Sequence, residues 1–161
     1  FAISGNIIGS QENNVHLTGC YGIALTGNCI YSCKQNNLLI EDSKLINVSG
    51  NTFRRHTSKY GTGVSFVRCS DITFTGCAIH DETEEGQPGL DALLQLDNCE
   101  RINITGSQFI NGLIGIAASN TNNTLIIFHL KNKTNKICIA VRLPDIKSRR
   151  RRKDHCVRSR N

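Results

Sequence analysis

Carboxylates, an imidazole and a guanidinium recur at matched positions in four short apolar runs of this 161-residue chain. The runs are VHLTGC, LLIEDS, VSFVRC and LQLDNC, ending at Cys20, Ser43, Cys69 and Cys99. Aligned on those ends, one outward column holds His16, Leu39, Ser65 and Gln95. The next holds Thr18, Glu41, Val67 and Asp97, and the third holds Gly19, Asp42, Arg68 and Asn98. If the runs stack as neighbouring strands, Glu41 and Asp97 lie two repeats apart, with roughly 9–10 Å between their backbones. That overlaps the upper end of the carboxylate separation in inverting glycosidases, about 6.5–9.5 Å. A lyase would instead need a cation to neutralise a uronate carboxylate and a base to take the α-proton, and Arg68 and Lys59 are the candidates for those roles.

The bland explanation of the same residues is stronger. Outward strand positions are polar in any stacked sheet, and Asp42 with Arg68 reads as a cross-strand ion pair. The two longest connections, RRHTSKYGTG (54–63) and DETEEGQPGLD (81–91), belong to neighbouring repeats. They set Arg54, Arg55, His56 and Lys59 against Asp81, Glu82, Glu84 and Glu85, opposite charges that hold turn to turn. Long turns on a rigid scaffold are also where specificity usually resides.

What positions these residues is a repeated phrase: FAISGNII at 1–8, IALTGNCI at 23–30, INVSGNTF at 46–53, ITFTGCAI at 72–79 and INITGSQF at 102–109. A recurrence every 20–50 residues marks a solenoid, in which each unit buries its apolar face against copies of itself. Period-two alternation puts Ile23/Leu25, Ile46/Val48, Ile72/Phe74 and Ile102/Ile104 inward, and Val15/Leu17, Leu38/Ile40, Val64/Phe66 and Leu94/Leu96 likewise. A third short strand resumes at Ile8, Ile30, Phe53, Ile79 and Phe109. The expected fold is all-β: a right-handed parallel β-helix of about five coils, three short strands each, over 1–116. Gly and Asn accept the φ > 0 that a sharp corner needs. Asn6, Asn28 and Asn51 are expected to form an inward ladder that Cys77 and Ser107 break, and Cys20, Ser43, Cys69 and Cys99 a second small-residue stack. A leucine-rich repeat is the rival reading, and helices between the phrases would reveal it.

The stacked Φ-x-Φ-[ST]-G-N turns resemble the right-handed parallel β-helix proteins of the pectin-lyase-like superfamily, over residues 1 to about 116. That family includes polysaccharide lyases, glycoside hydrolases, epimerases and tailspikes. The resemblance implies an extracellular, periplasmic or cell-surface protein whose partner is a polysaccharide, acidic ones included, and Ca²⁺ enters on this ground alone. It places a substrate groove along strands 15–18, 38–41, 64–68 and 94–97. The substrate-binding candidates are His16, Glu41, Asp42, Arg68, Gln95 and Asp97 on the strands, with Arg54, His56, Lys59, Tyr60 and Asp81 from the turns. No catalytic signature of one lyase or hydrolase family can be matched, so no catalytic role transfers. The alternative is a non-catalytic structural or surface-binding module.

Charge is divided unevenly. Residues 142–161 carry nine Lys+Arg and two Asp+Glu, while the remaining body has ten against eleven. With no recognition element beside KSRRRRKD, the run reads as a basic solvated tail rather than a nucleic-acid site. Residues 117–141 read as an irregular last coil or cap. No apolar run approaches the roughly 20 residues of a membrane span. The chain has no Met and opens in the middle of a coil, which suggests the C-terminal piece of a longer protein, inactive alone. Eight cysteines would suit disulfides in a secreted protein. Those in register read as buried fillers, and Cys29 and Cys33 lack zinc-ligand partners.

Overall fold

A computed structural model describes residues 1–56, 63–82, 92–112, 114–131 and 139–142. These residues form strands and turns, with no helix among them. The leucine-rich alternative is thereby set aside, and the chain is a parallel β-solenoid of about five turns.

The first four coils contribute three strands each, and the later ones two. The phrase itself forms β1 (Ala2–Ser4), β4 (Tyr21–Thr26), β7 (Lys44–Ser49) and β10 (Ser70–Thr75). Beyond the Gly corner come β2 (Ile7–Gly9), β5 (Cys29–Tyr31), β8 (Thr52–Arg55) and β11 (Ala78–Asp81). The strands β13 (Glu100–Ile110) and β15 (Asn122–Lys131) run through that corner and join the two faces into one ten-stranded sheet. The separate six-stranded sheet takes β3 (Asn13–Thr18), β6 (Asn36–Glu41), β9 (Gly63–Val67), β12 (Leu94–Asp97), β14 (Ile116–Ser119) and β16 (Ile139–Arg142). Every pairing is parallel, coil n on coil n+1.

The interior follows the alternation. Ile3, Leu25, Val48, Phe74 and Ile104 are register partners on consecutive coils, as expected. Leu25, Val48, Phe74 and Ile104 are fully buried. Phe74 stacks on Phe53 at 6.2 Å between ring centres and meets Phe66 edge-on at 6.3 Å, geometries that add to area burial. At the first coil the ladder is open: Phe1 is 64% exposed, and Ile3 and Ile8 are only partly buried.

The corners explain the small polar residues. At Gly5, Gly27, Gly50, Gly76 and Gly106 the backbone turns with φ near +60°, and the next amide N–H points inward. A buried amide needs an acceptor, and the following coil supplies it. Asn6 N donates to Asn28 Oδ1 at 2.9 Å, and Asn28 N to Asn51 Oδ1 at 2.9 Å. Asn51 Nδ2 lies 4.0 Å from the Cys77 sulfur, and Cys77 N donates to Ser107 Oγ at 3.2 Å. The ladder therefore changes residue type at Cys77 and Ser107, and the Cys77 amide still finds its acceptor on the next coil. The second stack repeats the device: Cys20 N donates to Ser43 Oγ at 3.0 Å, and Cys69 and Cys99 occupy the same place on the next two coils.

Asn51 is 1% exposed and also donates to Leu25 O at 2.7 Å. Replacing it with Leu leaves the Asn28 amide without its acceptor, worth about 1–3 kcal/mol, and removes a second bond to the Leu25 carbonyl. Asn51→Leu is expected to lower urea stability by about 2–4 kcal/mol, whereas Asn51→Ser, which keeps an acceptor, should lose less.

Candidate functional site

The six-stranded sheet carries the predicted strand residues on its outer face in the anticipated columns. Register pairs His16 with Leu39, Leu39 with Ser65 and Ser65 with Gln95; Thr18, Glu41, Val67 and Asp97 form the adjoining column. Three of these side chains meet across coils. His16 Nε2 lies 2.9 Å from Glu41 Oε2, and Arg68 Nη2 lies 3.6 Å from Glu41 Oε1. Arg68 also forks Asp42, with Nε and Nη2 donating at 2.6 and 2.8 Å. The guanidinium holds the Asp42 carboxyl below the usual range, and Asp42 in turn raises Arg68.

Asp42 and Arg68 sit at a corner where Gly19, Asp42, Arg68, Asn98 and Asn120 all have φ between +50° and +63°. That region disfavours most side chains, but its recurrence on every coil makes it a property of the bend. A matching pair stands at the other kink: Arg101 Nε and Nη2 donate to Asp71 at 2.6 and 3.0 Å, with Asp71 at φ +58° and Arg101 at +54°. Arg101 also donates to Glu100 at 2.6 Å.

Asp97 stands apart from Glu41 in the same column, with Val67 between them. Its Oδ1 accepts from Ser119 Oγ at 2.6 Å. Ser119 lies beyond the repeat that the sequence places over 1–116. The signal was present, since IAAS at 116–119 repeats the inward alternation of LQLD and pairs with it residue by residue. Gln95 is half-buried on the same face.

The turn residues gather elsewhere, beside the ten-stranded sheet. Arg54 forks Glu82 with Nε at 2.7 Å and Nη2 at 3.1 Å. His56 Nδ1 lies 2.8 Å from the same carboxylate and His80 Nδ1 3.5 Å from it. Tyr31 packs against His56 at 5.7 Å. Arg54 keeps Glu82 low, against the opposing effect of burial. Asp81 is buried at 5% exposure, with its Oδ2 3.1 Å from Arg55 Nη1, so it faces the interior rather than a ligand. Lys59, Tyr60, Glu84 and Glu85 lie outside the described residues.

Calcium, implied by the family resemblance, needs six to eight oxygens drawn from several carboxylates. Among the described residues no group of three or more His, Cys, Asp or Glu side chains could hold a cation. Glu41 and Asp42 already serve His16 and Arg68. Among the described residues, the carboxylates do not fit the ion. No helix among the described residues is long and apolar enough to cross a membrane. No family model matches this chain, and neither a curated protein nor a solved structure matches it.

Asp42, Asp71 and Glu82 are each held below their ordinary pKa by Arg68, Arg101 and Arg54. A carboxyl depressed by folding contributes stability above its unfolded pKa and loses that contribution as pH falls through the folded one. At constant ionic strength the urea midpoint is expected to be level from pH 7 to about 5 and to fall below about 4. Arg54→Ala should shallow that fall. An unchanged midpoint at pH 3 would show that these pairs contribute nothing to folding.

Proposed function

We propose that the protein is an extracytoplasmic, polysaccharide-binding β-solenoid of the pectin-lyase-like kind. Its glycan-binding surface is the outer face of the six-stranded sheet, and its role there is binding rather than bond cleavage. The supporting observation is the row of paired polar side chains, His16–Glu41–Arg68–Asp42 and Asp97–Ser119, spread over consecutive coils about 4.8 Å apart. An extended polymer with repeating hydroxyl and carboxylate groups can lie across such a row and exchange one partner at each coil. Arg68 is half exposed, at 52%, with three carboxylates in its field. A uronate would take over part of its fork by the bidentate geometry that guanidinium and carboxylate share. The chain has no Trp and three Tyr, so recognition would be polar rather than by ring stacking.

Cleavage is the less supported activity because both carboxylates of the Glu41 and Asp97 column are already engaged. A general acid or base must reach its substrate proton within about 2.6–3.2 Å. The structural-module reading draws on Asp71–Arg101, which reproduces the Asp42–Arg68 fork at a different corner.

Those two forks give the test. Titration calorimetry of the full chain with polygalacturonate oligomers is expected to show salt-sensitive binding, weaker toward a neutral glucan. Arg68→Ala should weaken it about tenfold or more, with β-rich circular dichroism retained. Arg101→Ala, which removes an equivalent fork away from the face, should leave it unchanged. Equal effects of the two variants, or no binding by the parent chain, would refute the proposal.

A further inference from the structure

Glycan binding at the outer face leaves the thiols beneath it unexplained. Cys69 and Cys99 occupy the same corner on consecutive coils, held in register by Val67 against Asp97 before them and Ser70 against Glu100 after them. Residues stacked in this way are about 4.8 Å apart, within the roughly 4.4–6.8 Å Cα span that a disulfide bridges. Both are buried, at 2% and 1% exposure.

Their sulfurs are directed along the stack. Cys99 Sγ donates to Phe66 O, one coil back, at 3.4 Å. Cys69 Sγ likewise reaches Ile40 O at 3.3 Å. Each thiol also donates to a carbonyl of its own coil, Cys69 to Val67 O and Cys99 to Asp97 O, both at 3.3 Å. Among the described residues, neither corner stack places two thiols on consecutive coils anywhere else. Cys20 is followed by Ser43, and Cys77 lies between Asn51 and Ser107.

We propose that Cys69 and Cys99 are a redox-active pair that closes to a disulfide when the chain meets an oxidised thiol couple such as glutathione disulfide. During folding or a local opening of the corner, the Cys69 thiolate attacks one glutathione sulfur and expels glutathione as its thiolate. Cys99, losing its proton to solvent, then attacks the Cys69 sulfur of the mixed disulfide and releases the second glutathione. Two protein thiols are oxidised to one disulfide, and one glutathione disulfide is reduced to two thiols. The bond ties the third coil to the fourth directly behind Arg68 and Asp97. Stacked Cβ atoms stand slightly wider than the roughly 3.5–4.5 Å of a relaxed disulfide. The closed form is therefore strained and readily reduced, as labile, regulatory disulfides are.

The test uses the full chain, incubated natively and also refolded with glutathione disulfide, then blocked with N-ethylmaleimide and digested with trypsin. Cleavage after Arg68 and Arg101 releases peptide 69–101, which holds Cys69, Cys77 and Cys99. Oxidised protein is expected to yield this peptide lighter by two hydrogens, with one maleimide at Cys77; reduction before blocking should give three. The oxidised chain should melt at a higher temperature, and Cys99→Ser should abolish that rise. This variant should fold, because Ser43 already fills the same stack. Three maleimides after oxidation of correctly folded chain, or fragment ions linking Cys77, would overturn the assignment. The outcome is independent of whether the outer face binds a glycan.

Discussion

The structure depends on one constraint: a backbone amide turned inward at a sharp corner has no water to bond, so the next coil must accept from it. Asn28 and Asn51 do this with amide oxygens and Ser43 and Ser107 with hydroxyls, and the sulfurs of Cys69, Cys77 and Cys99 stand at the same place in the two stacks. An unmet amide in the interior costs about 1–3 kcal/mol. The constraint thus couples each coil to the one that follows, and it acts on residue type more than on residue identity. Any short side chain with a lone pair at the right height satisfies it, which is why Asn, Ser and Cys interchange.

Once the corners are met, the strands between them are held straight and in register. Inward positions then stack on themselves, and the aromatic contacts among Phe53, Phe66 and Phe74 form because three faces converge on one axis. Outward positions stack equally well, and that is the origin of the charged rows. A pair such as Asp42 and Arg68 needs no recognition function to exist, since parallel stacking brings the residues into contact. The duplicate fork at Asp71 and Arg101 illustrates the point. A claim of function at one fork therefore has to be made by contrast with the other.

Exposure separates the charge clusters further. Arg55 and Asp81 have side chains only 3% and 7% exposed, and a buried pair of that kind is expensive to break. Arg54, His56 and His80 converge on Glu82 beside the ten-stranded sheet, on a different face from Glu41 and Arg68. The turn residues and the strand residues therefore do not share one surface in the described part of the chain.

The sequence by itself determined the solenoid, the inward ladder through Leu25, Val48, Phe74 and Ile104, and the outward columns on the six-stranded sheet. All three follow from period-two alternation and a recurring Gly corner, which are local and additive along the chain. The tertiary structure decided which columns touch. Glu41 reaches His16 and Arg68 diagonally across coils, while Asp97 bonds Ser119, its own register partner, because which neighbour a carboxylate meets depends on what the adjacent coils present at that height. It also decided that Asp81 faces Arg55 in the interior while its neighbour Glu82 meets Arg54. Alternation predicts opposite sides for adjacent residues, but which side is inside at the end of a strand is set by how the next coil packs.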